Sequence, residues 1–301
     1  MSPEPFRCSS LSLELDEPMH GTASTATTWL LLEQPGPWGW NAIMQSRLAR
    51  PVARALRDRA RDLGARFVLL RRPARHSGRG VHCYIVHSGP DQPWLQHAHL
   101  DRPEELLDAD LSAVAAGRPP SFGVRDDQML FLVCTNGARD RCCAERGRPT
   151  AGALGTLFPG RVWESAHIGG DRFAPNIVSM PHGLYFGRVG PEQAVRVASD
   201  IARGVIDLDH YRGRSCYAFE VQAAEYFARR ELQLTGIDDL TLKARRESPG
   251  DPVAELEFAT SSGGGVVVRV TIGDAEPPRL LTCKSTELVR PPRYEASLAT
   301  S

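Results

Sequence analysis

The chain has 301 residues, above the usual size of a single domain, with 42% hydrophobic and 24% charged residues. These proportions exclude a wholly disordered, collagenous or coiled-coil protein. The 36 basic and 36 acidic side chains exclude the global basic excess of a chain that coats nucleic acid or an anionic membrane. Only Lys243 and Lys284 among the basic residues are lysines, so arginine clusters are read first as composition. No run approaches the ~20 apolar residues of a membrane span, and Met1 to Glu14 lacks a charged start followed by an apolar stretch. A soluble cytoplasmic protein without a membrane partner is expected. Its seven cysteines (Cys8, Cys83, Cys134, Cys142, Cys143, Cys216 and Cys283) are then thiols, metal ligands or redox groups rather than a disulfide framework.

The first 25 residues, rich in Ser, Thr, Pro and Glu, read as an irregular lead-in. Trp29 to Leu32 is a short buried strand closed by the breakers Pro35 to Trp40. Leu48, Val52, Leu56 and Leu63 recur at near-helical spacing, and Gly64 ends that helix. Phe67 to Leu70 and Val81 to Val86 are strands, and Pro103 to Ala115 a helix with Leu106, Leu107 and Leu111 inward. The order restarts at Met129 to Val133, an apolar strand followed by a Gly-rich charged turn and a helix from about Arg148 to Leu157. Then come a strand at Arg161 to Glu164, a hairpin of Asn176 to Met180 with Leu184 to Phe186, and a helix from Pro191 to Gly204. Each half reads strand, helix, strand, hairpin, helix, the thioredoxin-like order. The predicted α/β fold is two related thioredoxin-like halves plus a small C-terminal α+β region. That region has a helix at Glu220 to Leu232 and strands at Ala254 to Ala259, Val266 to Thr271 and Leu280 to Cys283. The expected segments are 1–25, 26–118, 119–212 and 213–301.

The chemistry concentrates in Cys134-Thr-Asn-Gly-Ala-Arg-Asp-Arg-Cys142-Cys143 and His167-Ile-Gly-Gly-Asp171-Arg-Phe-Ala-Pro-Asn176. Cys134 ends a buried strand, and Cys142 and Cys143 stand just before a helix, where the positive helix terminus favours thiolates. His167 also ends a strand, so these groups meet at the carboxyl edge of the sheet, where α/β proteins bind ligands. One such cysteine is more often a small buried hydrophobe. Three cysteines, a histidine and a carboxylate converging from Gly-rich turns reverse that expectation. The residue types alone permit zinc, an iron-sulfur cluster or a thiol redox pair.

These motifs, with Tyr185-Phe186-Gly187-Arg188-Val189 after them, resemble the sucrase/ferredoxin-like (sucraseferredoxin) family, whose core resembles thioredoxin-like 2Fe-2S ferredoxins. The resemblance extends to Gly21-Thr22-Ala23 with Trp29 to Trp38, to Tyr211-Arg212-Gly213-Arg214-Ser215, and to Gln222-Ala223-Ala224-Glu225. It implies a 2Fe-2S cofactor held by two cysteines nine positions apart, here Cys134 and Cys143, and by two histidines four apart, here His167 and Asp171. Asp171 departs from that pattern. The fourth ligand is expected to be Asp171 first and Cys142 second, with Cys216 or Cys283 as the remaining choices. Adjacent cysteines in regular structure diverge, so Cys142 and Cys143 can share a cluster only from an irregular turn.

The expected function is electron transfer between protein donors and acceptors, the cluster being tuned by backbone N–H groups near Gly137, Gly169 and Gly170. The alternatives are a thiol-disulfide oxidoreductase using Cys134 with Cys142 or Cys143, which lacks CxxC spacing, and a structural zinc module. Eleven arginines between Arg47 and Arg79 read as a solvated face, not a nucleic-acid site, since interleaved aromatics are absent. Arg139 and Arg172 read as solvent ion pairs beside the cluster, Trp38 and Trp40 as core caps, and His97 with His99 as a poor metal site. Asp126-Asp127 gives no further support for acid-base work on a sugar.

Overall fold

A computed structural model describes residues 5–73, 79–247, 253–273 and 277–300. The elements in chain order are α1 (Cys8–Glu14), β1 (Thr28–Glu33), α2 (Arg50–Asp62), β2 (Ala65–Arg71), β3 (Val81–His87), β4 (Trp94–Leu100), α3 (Glu105–Asp108), β5 (Val124–Arg125), β6 (Leu130–Cys134) and α4 (Arg141–Leu157). They continue with β7 (Val162–Ser165), β8 (Ile177–Met180), β9 (Leu184–Phe186), α5 (Pro191–Ala202), β10 (Tyr211–Arg214), α6 (Phe219–Leu232), β11 (Leu240–Glu247), β12 (Val253–Thr260), β13 (Gly265–Gly273) and β14 (Arg293–Thr300).

The first ten strands form one mixed sheet in the order β10-β9-β8-β6-β7-β2-β1-β3-β4-β5. In its first half β1 runs parallel to β2 and antiparallel to β3, which pairs antiparallel with β4. The second half repeats those senses: β6 is parallel to β7 and antiparallel to β8, which pairs antiparallel with β9. The halves join where β2 and β7 pair antiparallel through Leu70 with Ser165 and Arg71 with Glu164. Strand β6 is wholly apolar because both of its faces are buried. Leu130, Leu132 and Cys134 enter a core that runs across both halves, while Phe131 and Val133 face a second core under α4 and α5.

Four antiparallel strands, β11-β12-β13-β14, make a second, smaller sheet. Its alternate residues Leu256, Phe258, Val266, Val268 and Val270 pack on Ala223, Ala224 and Ala228 of α6. Buried Glu225 holds α6 to β10, accepting from Arg214 (2.9 Å), Arg229 (3.0 Å) and Tyr211 (2.9 Å). Between β13 and β14 the chain crosses back to the large sheet, where Arg279 pairs with Glu17 at 3.1 Å. Among the described residues no helix is long and apolar enough to cross a membrane.

Several elements depart from the sequence expectations. The lead-in contains α1, and the helix expected from Pro103 to Ala115 is the short α3 plus a 3-10 turn at Ser112–Ala116. Strand β4 was unexpected because its central residues Gln96, His97 and His99 are polar. Helix α4 begins seven residues before the expected Arg148, since Pro149 sits inside it rather than in its first turn. At the C-terminus β11 and β14 are strands that were not expected, while 280–283 lies in the crossing segment instead of a strand.

Candidate metal centre

Cys134, Cys143, His167 and Asp171 come together where β6 and β7 end and α4 begins. β6 delivers Cys134 to the core side of the sheet, and the chain turns back through Asn136, whose carbonyl accepts from the amides of Arg139 and Asp140. Asp140 caps α4, its carboxylate accepting from the Cys142 amide at 2.9 Å, so both cysteines lie in the first helical turn. Gly147 allows this approach, because a Cβ there would collide with the Cys134 carbonyl oxygen.

The Cys143 thiol donates to Asp171 Oδ1 at 3.2 Å, and His167 Nδ1 stands 2.9 Å from the same oxygen. That second contact is close but not aligned, and Nδ1 is left without a hydrogen-bond partner although buried. The Cys134 sulfur is within hydrogen-bonding reach of both Cys143 and His167. Cys134, Cys143 and Asp171 are buried, and the His167 side chain is 28% exposed. Two thiols and a carboxylate are therefore gathered beneath the protein surface, with only the imidazole showing to solvent.

Protonation follows from these contacts. Hydrogen bonding from Cys143 outweighs burial and, with His167, lowers the Cys134 thiol to about 5. Hydrogen bonding with Cys134, reinforced by burial, holds Cys143 well above the ordinary thiol range, so the pair shares one proton. Burial works against a charged His167, but Asp171 and Cys134 outweigh it and raise the imidazole to about 9. Burial likewise opposes ionisation of Asp171, and His167 with Cys143 overcomes it and holds the carboxyl below its usual range.

The loop from His167 to Asp171 is fixed from behind. The Arg212 guanidinium, wholly buried, donates to Gly169 O (3.2 Å), Asn176 Oδ1 (2.8 Å) and Thr22 Oγ1 (3.1 Å). Asn176 donates to Gly170 O at 2.8 Å and Tyr185 to Ile168 O at 3.1 Å. Gly170 has φ +79°, and a Cβ there would strike the Arg212 guanidinium. Gln222 in turn bonds both the amide and the carbonyl of Ala23. The scattered sequence motifs are thus one scaffold behind one loop.

Cys142 does not face this group. It points from the other side of the helix terminus to Cys283 (Sγ–Sγ 3.4 Å) and Cys8 (3.8 Å), with Asp140 beside them, and this Cys8, Asp140, Cys142 and Cys283 group could hold a metal ion. Cys283, one of the expected fourth-ligand choices, also belongs there. Cys216, the other, packs with the core beneath the small sheet. Cys8 was not singled out as a ligand in the sequence because it lies 132 residues before Asp140 and shares no motif with it.

The remaining singled-out residues have ordinary partners. Arg172 pairs with Glu17 at 2.7 Å, and Arg139 stacks over Trp40 at 3.8 Å. Arg71 lies over Trp38 at 4.5 Å. Asp126 is paired with Arg161 and Asp127 with Arg125, each at 2.7 Å, so neither carboxylate is held as a free acid or base. His97 meets His82 rather than His99, with ring nitrogens 2.7 Å apart. Within the arginine-rich stretch Arg59 donates to the Leu107 carbonyl and Arg75 falls outside the described residues.

The family described as Sucrase/ferredoxin-like matches residues 19–213, well over half the chain, from before β1 into β10 and including Arg212, Asn176 and Tyr185. The chain belongs to this family. The match ends at β10, so the family segment spans the Cys134 group, while Cys8 and Cys283 lie outside it. Comparison with curated proteins and with solved structures returned no match.

Proposed function

We propose that this member of the sucrase/ferredoxin-like family is an electron-transfer protein whose second half, 119–212, is a thioredoxin-like ferredoxin unit holding one 2Fe-2S cluster. Cys134, Cys143, His167 and Asp171 are the ligands. The observation that carries this reading is the buried convergence of two thiol sulfurs, a carboxylate and an imidazole whose Nδ1 lies 2.9 Å from that carboxylate. Two sulfur donors with one nitrogen and one oxygen suit iron held by mixed ligation. The cluster, when bound, supplies a reversible one-electron couple.

The chain's own residues do the rest. Hydrogen bonding from Cys143 favours anionic sulfur at Cys134, whose position at the end of a fully buried strand excludes water from that side. Arg212, Asn176 and Tyr185 hold the His167–Asp171 loop rigid, so reorganisation on electron transfer is small. His167, the exposed member, faces the donor and acceptor proteins and is the group positioned to hold or release a proton as charge changes. The first half, 26–118, is a cofactor-free thioredoxin-like unit, and the protein works in the cytoplasm.

Anaerobic purification from iron-replete cells should give a red-brown protein with about two iron and two acid-labile sulfide per chain. Colourless protein with no sulfide overturns the reading. The shared proton of Cys134 and Cys143 supports a second function, a dithiol oxidoreductase. It predicts a colourless protein whose two thiols form a disulfide on mild oxidation.

A further inference from the structure

The geometry points to a second, separate metal site in this chain: a tetrahedral zinc ion bound by Cys8, Cys142 and Cys283, with Asp140 as the oxygen donor. The site brings together the N-terminal helix, the first turn of α4 and the segment crossing between β13 and β14.

The argument is one of distances and chemistry. Zinc bound to thiolates at about 2.3 Å in a tetrahedron separates its sulfurs by about 3.8 Å, and a sulfur from an oxygen ligand by about 3.5 Å. Here the sulfur pairs stand at 3.4 Å (Cys142 and Cys283), 3.6 Å (Cys8 and Cys283) and 3.8 Å (Cys8 and Cys142). Cys8 Sγ lies 3.6 Å from Asp140 Oδ2, and all four ligand atoms fall within 4.8 Å of one another. The set needs shifts of a few tenths of an ångström to close on an ion. A disulfide needs sulfurs at about 2.05 Å, a much larger displacement, and leaves the third thiol stranded.

Packing alone does not account for the arrangement. Cys83, a cysteine buried in the same core, is acted on by burial alone. These three instead surround a carboxylate that is itself 0% exposed and oriented by two backbone amides, those of Cys142 (2.9 Å) and Cys283 (2.6 Å). Each amide uses one lone pair of its oxygen, which leaves a lone pair free for a metal. Oriented ligands with satisfied supporting hydrogen bonds are what a preformed zinc site requires. The thiols release their protons to solvent as the zinc–sulfur bonds form. The Cys142 position on α4, beside Cys143 but facing away from it, keeps the two centres apart.

The site makes the ends of the chain part of the structure around the first centre. Cys283 enters it beside Lys284, which donates to the Ala138 carbonyl in the turn between Cys134 and Cys143. A zinc ion would therefore clamp the crossing segment over that turn. The inference stands whether or not the first site holds an iron-sulfur cluster.

The test is metal analysis of the anaerobically purified full chain, with iron, sulfide and zinc read separately. Stoichiometric zinc is expected, lost in Cys8→Ser and in Cys283→Ser while their iron and sulfide are unchanged, and retained in Cys134→Ser and Cys216→Ser. Cobalt added to chelator-stripped wild-type protein should give thiolate-to-cobalt charge-transfer and tetrahedral ligand-field absorption, both absent from Cys8→Ser. If the serine variants fold poorly, the charge-transfer intensity of the wild-type chain decides the matter, because the proposed site contributes three thiolates to one ion and the Cys134 group only two. Absence of zinc together with failure of the cobalt spectrum overturns the proposal. So do zinc retained in both serine variants and a Cys142–Cys283 disulfide in anaerobically prepared protein.

Discussion

The two halves of the large sheet have the same strand order and the same pairing senses, yet only one of them gathers ligands. In the first, β1 ends at Glu33, whose carboxylate accepts from the His82 amide at 3.1 Å and lies 3.6 Å from Arg72. In the second, β6 ends at Cys134, and the helix that follows carries Cys142 and Cys143 in its first turn. Nothing in residues 34–49, between β1 and α2, offers a thiol. The backbone therefore offers the same strand-end position twice, and side chains at a strand end and a helix start decide what gathers there.

The sharpest break of this comparison is at the sulfurs. Cys134→Ser or Cys143→Ser should abolish or sharply alter the visible spectrum. Cys83→Ser, in the first half and buried among apolar groups, should leave it intact while costing about 1–3 kcal/mol of stability for an unpartnered hydroxyl. If all three variants keep the same spectrum, the halves do not differ in the way described.

Asp171 sharpens the contrast within the second half. A carboxylate ligand adds negative charge and is a hard donor that favours ferric iron, so Asp171→His should raise the midpoint potential by roughly 100 mV. Redox titration of the two proteins measures this, and an unchanged potential removes Asp171 from the ligand set.

A third measurement concerns the junction of the halves. Arg71 and Glu164 form an ion pair at 2.6 Å across the β2–β7 pairing, and Thr135 also donates to Glu164 at 2.7 Å. Arg71→Met leaves a largely buried carboxylate underpaired and should cost about 2 kcal/mol, between the values for exposed and fully buried pairs. Denaturant unfolding with equal slopes for both proteins would give that number. A cost near zero means that the junction is held by its apolar pairs alone.

The smallest effect is in the histidines of the cofactor-free chain. Burial lowers His97, in the first half, so its contribution to stability is present above the unfolded value near 6.5 and is lost as pH falls. His167, in the second half, is raised to about 9, so its contribution is complete below about 6.5 and is lost as pH rises through 9. Proton NMR titration should show the two rings moving apart in opposite directions from 6.5. Coincident titration near 6.5 would contradict both environments.

Much of this was legible in the chain. Apolar runs at Trp29 to Leu32 and Met129 to Val133 mark central strands because both their faces are buried, and Cys134, Cys143, His167 and Asp171 fall in two compact motifs. The split between Cys142 and Cys143 was not legible. It depends on where α4 starts, and Pro149 suggests a start several residues too late. The Cys8 and Cys283 partnership was beyond reach for a different reason, since contacts spanning 275 residues leave no local periodicity. Strand β4 was legible only in the alternation of His97 and His99, which is that of strand neighbours on one face, and its polar centre hid the rest.

The antiparallel pairing of β2 with β7 has a further consequence. Strand β7 is four residues long and buried throughout, and its far side is covered only by the first half. The second half released from its companion would expose unpaired backbone N–H and C=O groups along β7, an open sheet margin that invites another copy to add its own strand. The first half thus has a structural task that needs no chemistry: it occupies the margin of β7 with its own β2.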